Sequence, residues 1–178
     1  MITKVEAFSF LSEHQPMPSD KEVTEEEIKK YEEVRTFFIN NPDEQCIPLF
    51  LNSFGDKDGL GAYQMVEDVI VMYDKKVVLP YILSAFNSSY EGIKYWCIQI
   101  ATNFLDESLL PPLANFLKSE DQDIKTAAIT AIAQLALKNI RVHEVLKILK
   151  EEIKKISDEE TKEFAIEVLA DIQNNIQL

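Results

Sequence analysis

LLPPLANFLKSEDQDIKTAAITAIAQLAL, Leu109–Leu137, holds two apolar stripes of helical period joined by a polar elbow. In the first half Leu110, Leu113, Phe116 and Leu117 fall at i, i+3, i+6 and i+7. In the second half Ile124, Ala127, Ala128, Ala131, Ile132 and Leu135 make another such stripe. Neither helix can bury its stripe alone, so this pair needs neighbours of the same kind.

Those neighbours lie upstream at a regular spacing. Ile47-Pro48-Leu49-Phe50-Leu51-Asn52-Ser53-Phe54 aligns with Leu79-Pro80-Tyr81-Ile82-Leu83-Ser84-Ala85-Phe86 at a spacing of 32. That segment aligns with Leu110–Leu117 at a spacing of 31. Each copy places a proline (Pro48, Pro80, Pro111) where the first helical turn is expected, a position at which the missing N–H costs nothing. The second helices align through Tyr63 with Tyr95 and through Ile93-Lys94 with Ile124-Lys125. Ser88-x-x-Glu91, Ser119-x-x-Gln122 and Ser157-x-x-Glu160 fit capping boxes at the elbows. A looser fourth copy has a first helix over Val142–Ile156 and a second carrying Phe164, Ile166, Val168, Leu169 and Ile172. Apolar period and start signals in step are the pattern of stacked helical pairs.

Upstream of the copies, Ile2, Val5, Phe8 and Leu11 stand three apart and suggest a short helix over residues 2–13. His14–Asp20, with Pro16 and Pro18, reads as an extended connector. Thr24-Glu25-Glu26-Glu27 is a capping box that starts a helix running to about Asn40, with the stripe Ile28, Tyr31, Val34, Arg35 and Phe38.

Leu110–Ala136 resembles a HEAT or HEAT-like repeat. The carriers are Ile124-Lys125, Ala127-Ala128 and Ile132-Ala133, an aliphatic–basic pair followed by small and aliphatic residues; Ile93-Lys94 and Ala101 match in part. Ser88 and Ser119 stand where the family favours an aspartate. The resemblance covers about Gln45–Ala136 well and Val142–Gln173 weakly. It implies an all-α fold: an α-solenoid of stacked antiparallel helix pairs, with roughly four repeats plus N-terminal helices. The expected organisation is one domain over 1–178. N-terminal helices and connector occupy 1–41, and the repeats occupy 43–76, 78–107, 109–139 and 142–174.

Charge narrows the function classes. The 31 acidic and 18 basic residues leave a net charge of −13, a field that repels nucleic acid and anionic membrane and attracts cationic partners. The bland alternative is a surface that only confers solubility. The first residues, MITKVEAFSFLSEH, have no long apolar core or small-residue cleavage site, and no run approaches a membrane span, so a cytoplasmic location is expected. Cys46 and Cys97 sit in apolar runs and read as small buried hydrophobes.

No catalytic constellation emerges. Asp56, Asp58, Gly61 and Glu67 match positions 1, 3, 6 and 12 of a calcium loop, but Leu60 occupies position 5 and supplies no side-chain oxygen. The preferred reading there is a glycine-loosened elbow, with no metal and no cofactor. His14 and His143 have no partner at ligand spacing. Asp106-Glu107 and Asp158-Glu159-Glu160 sit at helix boundaries, where they complement a helix N-terminus.

In the family the second helices usually line the concave side. The resemblance therefore implies a shared surface built from the polar columns opposite the stripes. These are Tyr63 and Glu67; Tyr95, Gln99 and Asn103; Thr126, Thr130 and Gln134; and Glu163, Glu167 and Asp171. Trp96, aligned with Gln64 and Ala127, is either a core residue or a half-exposed anchor for a partner. The candidate binding residues are thus Tyr63, Glu67, Tyr95, Trp96, Gln99, Asn103, Thr130, Glu163, Glu167 and Asp171, for a basic protein partner. In overall character the chain is similar to small acidic bacterial immunity proteins that neutralise a cationic toxin, which implies a non-catalytic binding module. A general scaffold is the first alternative. A HEAT-like enzyme acting on nucleic acid is the second; Lys138, Arg141, Lys147, Lys150, Lys154 and Lys155 cluster, but along the last repeat's first helix, where they read as a solvated face balancing the acids.

Overall fold

The computed structural model describes residues 2–176, and among them the fold is all-α, with no strand. The chain gathers into two compact units, 1–100 and 101–178. Among the described residues no helix is long and apolar enough to cross a membrane.

The first unit contains α1 (Lys4–Glu13), α2 (Glu25–Asn40), α3 (Cys46–Leu51), α4 (Glu67–Ile70), α5 (Lys75–Ala85) and α6 (Glu91–Ala101), which ends at the division. α1 packs on α2 and α3, α3 on α5, and α2 on α4. Both N-terminal helices open with a two-sided capping box: Thr24 with Glu27, as the sequence signals, and also Thr3 with Glu6. The stripe expected on α1 does not form. Val5 is 79% exposed, and the buried residues are Ala7 and Leu11. A strict spacing of three lags the 3.6-residue turn, so over three steps it winds half-way round the helix and cannot face one side. The connector after α1 packs into the unit: Met17 is buried and its N–H donates to Ser53 O (2.9 Å).

α5 begins earlier than the repeat register suggests. Asp74 caps it by accepting from Lys76 N (2.8 Å), which places Pro80 inside the helix rather than in its first turn. The carbonyl of Lys76 thereby loses its helical donor, on an exposed face where water can serve it.

The second unit contains α7 (Leu110–Phe116), α8 (Gln122–Leu137), α9 (Val142–Glu152) and α10 (Glu159–Asn175). α8 packs against α7, α9 and α10. Every residue of its expected stripe is buried, and Ile129, Ala133 and Ala136 are buried as well. A helix apolar on most sides is a central one, which explains why Thr126, Thr130 and Gln134 are half-buried rather than open. α10 differs from expectation. Its buried seam is Thr161, Ala165 and Ile172, while Ile166 is 49% exposed.

The caps of α8 and α10 are aspartates rather than the expected serines. Asp121 accepts from Ile124 N (3.0 Å) and Asp158 from Thr161 N (2.8 Å). Ser119 and Ser88 instead accept from the N–H two residues on, those of Asp121 and Tyr90 (both 3.1 Å). A serine in that position closes a small turn ahead of the helix.

Candidate partner-binding surfaces

Tyr63 corrects the sequence reading most sharply. Expected on an open face, it is fully buried. Gly59, Leu60 and Gly61 all have positive φ (57°, 52° and 90°), and these turns delay the helix that the register would start near Gly59. Only a 3₁₀ turn, Tyr63–Val66, and the short α4 remain. The redirected ring lies against Gly59, where a Cβ would come within 2.6 Å of it. It packs edge-on to Tyr31 (5.8 Å) and Phe54 (5.5 Å).

The two tyrosine hydroxyls in this cluster are treated differently. Tyr31 donates to Ser53 Oγ (2.7 Å), and Ser53 donates to Phe50 O (2.8 Å). Burial pushes the Tyr31 phenol far above its usual range. The Tyr63 hydroxyl is buried and has no hydrogen-bond partner among the described residues. Burial first, and then the charges of Asp20, Asp56 and Asp58, push its pKa up to about 12; the nearby Gly55 backbone partly offsets this without reaching hydrogen-bond geometry.

Trp96 joins this core to the surface. It is half-buried, stacked on Phe54 (5.9 Å, 29°) and edge-on to Tyr63 (6.2 Å). Its indole N–H donates to Lys57 O (2.8 Å), so it pins the glycine loop. Tyr95, also half-buried, meets Trp96 edge-on (5.3 Å). Trp96 is thus partly core and partly accessible, beside an acidic loop.

That loop uses its carboxylates on backbone. Asp20 accepts from Gly59 N (3.1 Å), and Asp56 accepts from Asp20 N (3.0 Å). Among the described residues no three acidic, histidine or cysteine side chains converge as metal ligands would. Next to the loop is a groove of about 250 Å³ lined by Pro16, Met17, Ser19, Gly55, Asp56, Tyr90, Glu91 and Gly92. Tyr90 is 53% exposed there. Apolar periodicity does not point to this groove or to Tyr90; the available signal is Gly92, a glycine in the first turn of an amphipathic helix.

The remaining candidates in the first unit are the half-buried Glu67 and Gln99. In the second unit Asn103 is exposed, and Thr130 is half-buried with its hydroxyl donating to Thr126 O (3.1 Å). Glu163, Glu167 and Asp171 are all exposed at i, i+4 and i+8 along α10. Compared with known proteins, the chain matches neither a family model nor a curated sequence.

The residues singled out for chemistry have structural duties. Cys46 and Cys97 are buried and unpaired; burial pushes the Cys46 thiol up to about 11 and the Cys97 thiol higher still. His14 ends α1, stacked on Phe10 (4.2 Å) with Nδ1 on Phe10 O (2.7 Å). Lys147 and Lys150 of α9 and Lys154 of the 3₁₀ turn after it line an open strip with His143, Leu146 and Glu151, and Arg141 and Lys155, flanking α9, pair with Glu144 and Glu152.

Proposed function

We propose that this chain is a non-catalytic binding module that holds a cationic protein, in the manner of immunity proteins that neutralise a basic toxin. The observation that carries the reading is the acidic face of α10. Glu163, Glu167 and Asp171 are exposed along one side of a helix, and among the described residues none makes an ion pair. Three like charges one turn apart repel one another by a few tenths of a kcal/mol per pair, a cost that a complementary cationic surface would remove. The net charge of −13 would speed encounter with such a partner.

The HEAT-like stack belongs to the same proposal. Its support in residues 101–178 is the packing of α7 on α8 and of α9 and α10 on α8, two consecutive helix pairs sharing a central helix. The test compares wild type with Glu163→Lys/Glu167→Lys in affinity capture from the native host at low and high salt. Wild type should retain a basic protein that elutes with salt, and the variant should lose it at an unchanged Tm. That protein should be toxic alone and harmless when co-expressed with this chain. Equal retention by both proteins would overturn the assignment.

A further inference from the structure

The groove between the connector, the glycine loop and the start of α6 has a composition that selects its occupant. Its floor is backbone: a Cβ on Gly92 would fall 1.6 Å from Gly55 O, so the two segments touch with no side chain between them. Its walls are the apolar Met17 and the exposed ring of Tyr90. At its mouth stand two exposed carboxylates, Asp56 and Glu91.

A volume of about 250 Å³ lies below the range of ordinary small-ligand pockets and suits a single long side chain. The start of α6 would favour an anion with about half a unit of positive charge. Two full carboxylate charges at the mouth outweigh it and favour a cation. Glu91 already meets Lys94 (3.0 Å), but a surface pair of this kind contributes little and yields to a better-placed donor.

We propose that this groove receives one arginine side chain of a cationic protein partner, with the guanidinium stacked on Tyr90 and bonded to Asp56 and Glu91. Arginine fits better than lysine. Its planar, weakly hydrated head tolerates an apolar floor, stacks on an aromatic face and pairs with carboxylates through two N–H groups. This names a contact within the binding function proposed above and rests on that reading.

The probe is Nα-acetyl-arginine amide, titrated into the full-length ¹⁵N-labelled protein, with the uncharged isostere Nα-acetyl-citrulline amide as control. Saturable shifts are expected at the amides of Gly55, Asp56, Tyr90 and Gly92 with arginine and none with citrulline. Tyr90→Ala should weaken binding at least about threefold and Tyr90→Phe should preserve it, both at the wild-type Tm. Equal response to citrulline, or no effect of Tyr90→Ala, would overturn the assignment. A hexa-arginine peptide separates the two proposals. Shifts at Glu163, Glu167 and Asp171 without shifts at the groove would sink the slot and leave the cationic-partner reading standing. No shift at either place would count against both.

Discussion

Residues 101–178 are packed with small side chains. Ala127, Ala128, Ala131, Ala133 and Ala136 on α8 let three helices approach it closely. Residues 1–100 are packed with rings, from Tyr31 through Phe54 and Tyr63 to Trp96, seated against backbone that glycines leave bare. The difference teaches where variation is cheap. A helix packed by period tolerates changes that keep its stripe. A ring seated on glycine tolerates no added atom at the seat.

The largest test acts on the backbone contact beside that seat. Gly92→Ala puts a methyl group where Gly55 O stands. The clash is backbone on backbone, so no side-chain rotation relieves it, and the loss should exceed about 3 kcal/mol. The matching change in the other unit is Ala128→Gly, fully buried in α8. It should cost only about 1–2 kcal/mol, from helix propensity and one lost methyl. Chemical denaturation of both variants decides the matter. If Gly92→Ala unfolds no more easily than Ala128→Gly, the two kinds of packing are not different in tolerance.

A smaller effect, with opposite signs, separates the two tyrosines. Tyr31→Phe removes the donor to Ser53 from a satisfied buried chain and should destabilise by about 1 kcal/mol. Tyr63→Phe removes a buried hydroxyl that has no partner among the described residues. It should be neutral or stabilising by about 1 kcal/mol, because the desolvation of that oxygen is no longer incurred. A clear destabilisation by Tyr63→Phe would mean that water or an internal partner serves the hydroxyl.

The same contrast governs what the sequence reveals. Leu109–Leu137 is legible because periodicity and burial are one fact there: the stripe Ile124, Ala127, Ala128, Ala131, Ile132 and Leu135 is buried throughout. The Thr24 box is legible because its chemistry is local. Tyr63 is not, because its direction depends on three successive positive-φ residues, one of them Leu60, and no alignment of apolar positions reports a backbone turn. The displaced caps have a local cause. Ser119 and Asp121 are both competent cap residues, and the structure uses the aspartate for the helix and the serine for the turn before it. Of the candidate binding residues, the acids of α10 lie open as read, whereas Trp96 divides between core and surface for reasons that only tertiary packing supplies.

The smallest expected effect is a pH response carried by the caps. Glu6 and Glu27 accept from the backbone N–H and then the hydroxyl of Thr3 and Thr24, and both carboxyls are held below their usual range. Asp158 is lowered by the Thr161 hydroxyl and N–H, and Asp43 chiefly by Lys4. A carboxyl lowered in the folded state stabilises it above its unfolded pKa, and this stabilisation is lost as pH falls through the folded value. Stability should therefore be level from neutral pH down to about 5 and decline below it. Glu27 lies at a solvent-screened helix end, so its share is under about 1 kcal/mol. Glu27→Gln keeps an acceptor for the Thr24 N–H but cannot titrate. It should lower Tm slightly at pH 7 and flatten the fall in Tm between pH 5 and 3. Asp158→Asn should do the same for the elbow before α10. A Tm profile as steep in Glu27→Gln/Asp158→Asn as in wild type would place the acid sensitivity elsewhere.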